Sequence, residues 1–237
     1  MRIVWRFAPD RLLPYDALDQ VHDALVHAWA ALGATAGEVV GPSAEPWSFG
    51  VETVNWRAPR RLASAVHVAT VSPRLEPLLA RMRAEHIQRR PERGRRIDFA
   101  ALEPALEPDP APVAPGTAAL PVTMVSPLVI RPQERIRDKK PILDLTAVDL
   151  SAAVSAGLSR AARREVRIEV TPDRLYAAGR AHVCASVPVK IRDGQTHRVA
   201  GLMVPLLLRG SAADLETAWD AGLGGKTRMG FGCIRAA

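Results

Sequence analysis

Two hydrophobic periodicities alternate along this chain, in nearly the same order twice. Arg2–Phe7 alternates charged and apolar residues, the period of a strand. Leu18, Val21, Leu25, Trp29 and Leu32 then recur at spacings of three and four, which puts one apolar stripe along a helix. Pro14 is placed to open that helix and Gly33 to close it. Trp47–Asn55 and Ala63–Ser72 follow as strands, through Phe49, Val51 and Val54 and through Val66, Val68 and Val71. Pro73 opens a second helix that runs toward Arg90 and stops near Pro91.

In the second half, Val122–Arg131 reads as a strand interrupted by Pro127. Asp149 or Ser151 can cap a helix reaching Arg164. Arg167–Val170, His182–Ile191 and Arg198–Leu208 read as strands, the last two joined across the hairpin signal Arg192–Gln195. Ser211 caps a short helix to Trp219, and Phe231–Arg235 is a closing strand. The expected fold is α+β: tandem ferredoxin-like (RRM-like) βαββαβ domains with helices on one face of each antiparallel sheet, and an arginine-rich helical extension in the first half. The division expected is 1–117 and 118–237. Glu103–Pro121, with Pro104, Pro108, Pro110, Pro112, Pro115 and Pro121, reads as a linker or exposed loop between them. Such a fold hosts many functions and assigns none.

Charge narrows the choice. Lys+Arg is 32 against Asp+Glu 25, a net +7, and only Lys139, Lys140, Lys190 and Lys226 are lysines. An excess of this kind suits a polyanion. A GC-rich genome would also enrich arginine, but it would not cluster it. Arg81, Arg83, Arg89, Arg90, Arg93, Arg95 and Arg96 fall in one stretch opposed only by Glu85 and Glu92. No apolar run reaches the ~18 residues of a membrane span. The N-terminus has no signal-peptide plan, and Cys184 and Cys233 are not in metal spacing, so a cytoplasmic, reduced setting without metal or other cofactor is expected.

Gly222-Leu-Gly-Gly-Lys-Thr227 imitates a nucleotide P-loop but fails it, because Asp220 stands where the first glycine belongs. The dinucleotide fingerprint fails at Thr227. What stays is the whole run Gly222–Gly232, where Gly222, Gly224, Gly225, Gly230 and Gly232 permit positive φ and close backbone approach, with Lys226 and Arg228 adding charge. It is either a phosphate cradle or a tight helix-to-strand turn.

This run, ending in Gly-Phe-Gly before a terminal strand, resembles the glycine-rich signature of the RAMP superfamily, and in particular of the CRISPR repeat-RNA endoribonucleases. Ser126-Pro127-Leu128-Val129 and the first helix around Gln20–Trp29 resemble the same family in the same order. The resemblance implies metal-independent cleavage of precursor CRISPR RNA within its repeats. The RNA 2′-hydroxyl is the nucleophile, and 2′,3′-cyclic phosphate and 5′-hydroxyl ends result. It also implies a catalytic histidine on the first helix, retention of the crRNA repeat hairpin, and assembly with other effector subunits. Type IV relatives carry an arginine-rich helical extension, which Arg81–Arg96 resembles.

Of six histidines, His22 meets the implied role best. At about 100° per residue it falls about 40° from Leu18, on the border of the apolar stripe, whereas His27 falls about 180° away on the polar face. A border position gives partial desolvation with access to substrate. The alternative is a boundary ring packed beside Trp29. Some relatives place a tyrosine one turn before the histidine. Leu18 stands there in this chain, and Tyr15, two turns away on the same border, is the substitute considered. Lys226 and Arg228 are candidates to offset charge on the phosphate. Arg81–Arg96 would clamp the hairpin, with Arg60, Arg61, Arg135, Arg137, Lys139 and Lys140 as further RNA contacts. Three other readings stay open: a RAMP subunit that binds crRNA without cutting, a general RNA-binding protein, although RRM-type aromatics are missing, and an unrelated ferredoxin-like protein whose arginine reflects codon bias.

Overall fold

The computed structural model describes residues 1–55, 60–89, 96–130, 149–179, 183–192 and 195–237. In the first half, β1 (Arg2–Arg6), α1 (Leu18–Ala31), β2 (Trp47–Thr53), β3 (Arg61–Thr70), α2 (Glu76–Arg81) and β4 (Ala105–Pro108) form one antiparallel sheet with its helices. β3 pairs β1 on one side and β2 on the other, and β1 pairs β4. In the second half, β5 (Ala119–Met124), α3 (Leu150–Ala162), β6 (Glu169–Pro172), β9 (Leu206–Arg209), α4 (Ala212–Ala221) and β10 (Ile234–Ala236) repeat that plan, in sheet order β10-β5-β9-β6. Both sheets place the fourth strand beside the first and the third beside the second, so the fold is a tandem of ferredoxin-like units. Between β6 and β9 the second half inserts a hairpin, β7 (Cys184–Arg192) and β8 (Gln195–Leu202).

Each half has its own core. α1 buries Leu18, Val21, Ala24, Leu25, Ala28 and Trp29, as its stripe predicts. A fully buried large apolar side chain contributes about 1.5–3 kcal/mol. The cores are not confined to their own halves: Val129, Val187, Val189 and Phe231 pack into the first one. The inserted hairpin therefore lies against α1.

Several expectations are corrected. The first helix begins at Leu18, not Pro14. Leu13–Tyr15 is a short strand on β3, with Pro14 opposite Leu62, because β3 offers a free edge beyond the end of β1. The second helix ends at Arg81 rather than Arg90, and among the described residues that follow, 82–89 and 96–99, no α-helix extends it. Met82, Ile87, Ile97 and Phe99 are all buried at spacings that no single helix face can supply, so the chain turns. It continues through a turn at Ala84–His86 and a two-residue ladder of Gln88–Arg89 on Ile97–Asp98. The proline-dense stretch is not wholly loop. Ala105–Pro108 is an edge strand on β1, with Pro108 opposite Ile3, and an edge is where a sheet tolerates proline. Arg198–Leu208 is two strands, β8 and β9, broken at Met203–Pro205 and assigned to different sheets. Of the hairpin signal, residues 193–194 lie outside the described residues. Among the described residues no helix is long and apolar enough to cross a membrane.

Candidate functional site

The apolar stripe of α1 fixes which residues border it. His22 comes out beside the stripe with its side chain 23% exposed. Its ring stacks on Trp47 of β2, with centroids 5.7 Å apart and planes 22° apart, and lies 6.4 Å from the Phe49 ring. Trp47 is itself held by its indole N–H donating to the Val39 carbonyl at 2.9 Å. The ring thus packs on Trp47 and Phe49, not beside Trp29. Nδ1 of His22 lies 3.1 Å from Oδ1 of Asp23. That hydrogen bond holds the Asp23 carboxyl below its ordinary value against burial, helped by the charges of His22, Arg89 and Lys190.

The glycine-rich run reaches the same place from the other end of the chain. Gly222 leaves α4 at φ 73°, and Lys226 and Gly230, both left-handed, bracket a turn at Thr227–Met229. Gly230 permits close approach: a Cβ there would stand 2.9 Å from the Phe49 ring, whose centroid lies 6.4 Å from that of His22. Arg228 and Met229 line one partly open cavity of about 260 Å³ together with Leu18, Asp19, His22, Val39, Val40, Gly41 and Val189. Burial lowers the Arg228 pKa. A guanidinium stays charged under such burial. It is a partly desolvated cation sharing a cavity with a histidine, suited to stabilising developing negative charge.

Four of the loop's glycine amides are used within the fold. Gly222 donates to Ala218, Gly225 to Val129, Gly230 to Thr227 and Gly232 to Pro127. These N–H groups shape the loop and clamp it to Ser126–Val129, and they are not turned toward a phosphate. Ser126 Oγ accepts from the Cys233 amide at 3.0 Å, so the two segments that carry the family resemblance dock on each other. At Gly232, φ is 71° and a Cβ would fall 1.9 Å from the Leu223 carbonyl oxygen. Gly232→Ala is expected to cost about 2–3 kcal/mol through overpacking and a left-handed backbone. Its chemical-denaturation midpoint should fall clearly, and a midpoint equal to wild type would refute this account of the loop.

The remaining expected site residues are scattered. Tyr15 is fully buried in the first core, on the short strand rather than the helix. Its hydroxyl bonds Thr53 Oγ1, and burial pushes its pKa up to about 12, so it does not join His22. Lys226 sits on the loop with Nζ 3.9 Å from Met229 Sδ, outside the cavity lining. Arg61 is buried and donates to the Asp16 carbonyl at 2.9 Å, a structural use. Arg60 and Arg81 are exposed. Arg83 donates to the Ala80 and Met82 carbonyls and so caps α2. Arg89 is half-buried near Asp23, and Arg96 pairs with Asp98. Arg90, Arg93, Arg95, Arg135, Arg137, Lys139 and Lys140 lie outside the described residues. Asp19, one turn before His22, was missed, although its helical angle puts it on the same side. Trp47 and Val189 had no sequence signal. Among the described residues no group of three or more His, Cys, Asp or Glu side chains is placed to hold a metal ion.

Two ferredoxin-like units closed by a glycine-rich loop are the architecture of RAMP proteins. A structure described as a RAMP protein binding different RNA substrates superposes with TM-score 0.67 at 12% identity, over 100% of this chain and 99% of that one. A Cas6-related protein from Pyrococcus furiosus gives TM-score 0.67 at 12% identity over 100% and 98%. A Cas6 product complex gives 0.57 at 15% identity over 100% of both chains. At these identities the likeness establishes the fold. Residues 110–236 match the family model for CRISPR associated protein Cas6, C-terminal, and the chain belongs to that family. The match carries no CRISPR subtype with it, type IV included. No curated protein matches the sequence.

Proposed function

We propose that this protein cleaves precursor CRISPR RNA within its repeats, with His22 as the acid–base group and Arg228 as the cation that offsets charge on the scissile phosphate. The observation that carries this reading is that His22 and Arg228, from opposite ends of the chain, line one cavity. The RNA 2′-oxygen forms a bond to phosphorus, and the bond from phosphorus to the 5′-oxygen breaks. The proton leaving the 2′-hydroxyl and the proton taken up by the 5′-oxygen balance. His22 exchanges one of them, which suits an imidazole whose ordinary pKa is about 6.5. The products are a 2′,3′-cyclic phosphate and a 5′-hydroxyl. Lys226 on the same loop, together with the exposed Arg60 and Arg81, adds positive potential for the backbone. The product hairpin stays bound, and the complex enters a multi-subunit effector.

Repeat RNA incubated with the protein in EDTA is expected to be cut once per repeat, and a 2′-deoxy substitution at the scissile nucleotide should abolish that cut. Cleavage that needs added metal, or that survives the 2′-deoxy change, would overturn the mechanism. Tight binding without cutting would favour the subunit that only holds crRNA.

A further inference from the structure

The cavity beside His22 and Arg228 has walls that phosphate chemistry does not explain. Leu18, Val39, Val40 and Val189 face it, and Met229 stands at its mouth, 37% exposed. A phosphodiester needs no aliphatic slot of about 260 Å³. Nor does it need the third polar group there, the Asp19 carboxyl, since a negative charge beside a phosphate opposes binding. A nucleobase accounts for both features, because its faces are apolar and its edge is polar.

We propose that this cavity receives the base next to the scissile phosphate, and that Asp19 selects guanine there. This rests on the RNA-cleavage reading above. An ionised carboxylate only accepts hydrogen bonds. Guanine presents two adjacent donors on its Watson–Crick edge, N1–H and the 2-amino group, and pairs with a carboxylate through both. Adenine and cytosine place a ring-nitrogen acceptor beside their amino group. Uracil flanks its single N–H with two carbonyls. Each of these leaves an acceptor facing the carboxylate without a donor, which even a partly desolvated site penalises. Asp19 lies one helical turn before His22, so base selection and proton transfer are held by one rigid element. Burial and then Asp23 raise its pKa above the ordinary value, a rise that the backbone amides of Gln20 and Asp19 and the charge of Lys190 only partly offset.

A purely structural role is also open to Asp19, since an acid in the first turn of α1 favours the helix dipole. Base discrimination separates the two, because a helix-dipole role does not depend on the RNA sequence. Once the cut is mapped, each of the four bases, and inosine, is placed in turn on either side of the scissile phosphate. Single-turnover cleavage is then compared for wild type, Asp19→Asn and Asp19→Glu. Guanine at one of the two positions should be preferred by at least about fivefold. Inosine, lacking the 2-amino group, should lose most of that preference. In Asp19→Asn the ratio of guanine to the other bases should collapse, and Asp19→Glu should restore part of it, whichever way absolute rates move. Equal cleavage of all four bases by wild type, or an unchanged ratio in Asp19→Asn, would sink the guanine site and leave the nuclease reading standing. Failure to cut any of the RNAs would sink both.

Discussion

Replacing His22 with alanine is expected to slow single-turnover cleavage of repeat RNA by about 10²–10⁴-fold, while the protein still binds the RNA. The size follows from the loss of one positioned proton-transfer group. The positioning is visible in the structure. The ring stacks on Trp47, and Asp23 lies 3.1 Å from Nδ1. With Nδ1–H donated to Asp23, Nε2 is the nitrogen left for the substrate. Rates with protein in excess and a separate binding isotherm make the test. Undiminished cleavage by His22→Ala would move the chemistry to another residue, and loss of binding in parallel with rate would make His22 a contact rather than an acid–base group.

Replacing Arg2 with methionine is expected to destabilise the fold by about 3–5 kcal/mol, the cost of breaking a buried charged cluster from one side. Arg2 is 3% exposed. Its Nε lies 2.8 Å from Asp109 Oδ2, and NH2 lies 2.8 Å from His67 Nδ1. NH1 donates to the Trp219 carbonyl at 3.3 Å, and the guanidinium stands 4.5 Å from the centroid of the Trp219 ring. His67 in turn meets Glu52 at 3.0 Å, and Glu52 lies 3.7 Å from Arg235. The cluster therefore ties β1, β2 and β3 of the first half to α4 and β10 of the second. Methionine keeps the stem's packing but leaves Asp109 and the Trp219 carbonyl without their cation.

The cluster also sets a pH dependence. The His67 bond holds the Glu52 carboxyl below its ordinary value against burial. At Asp109 burial raises the pKa, but His67, Arg2 and Arg6 together hold it low. Carboxylates depressed in the folded state add stability that is whole above their unfolded pKa, about 4, and is lost as pH falls through the folded values. Urea unfolding of wild type should weaken in that acid window, and Arg2→Met should show a shallower slope there. A variant as stable as wild type would refute the account of the cluster.

What was legible before the fold was known is local. The stripe of α1 is buried as its spacing implies. Asp149 caps α3 by accepting from the Ala152 amide at 2.9 Å, and Ser211 caps α4 by accepting from the Asp214 amide at 3.2 Å. The border position of His22 and the exposure of His27 follow from the same angular reckoning. Each depends on residues within a turn or two of one another. The misreadings share the opposite cause. Tyr15 left the helix because β3 had an edge to pair, Ala105–Pro108 became a strand because β1 did, and α2 stopped because Ile87 and Phe99 had a core to enter.

The sequence by itself determined the two ferredoxin-like repeats, the N-caps of α3 and α4, the basic excess and the segments that carry the Cas6-family likeness, because propensity, periodicity and short motifs act over a few residues. Only the tertiary structure decided that Arg228, His22 and Asp19 line one cavity, that Trp47 lies beneath the His22 ring, and that four of the loop's glycine amides are bonded internally. Those relations join segments far apart in the chain. They are set by how two cores and an inserted hairpin pack, and no local pattern encodes that.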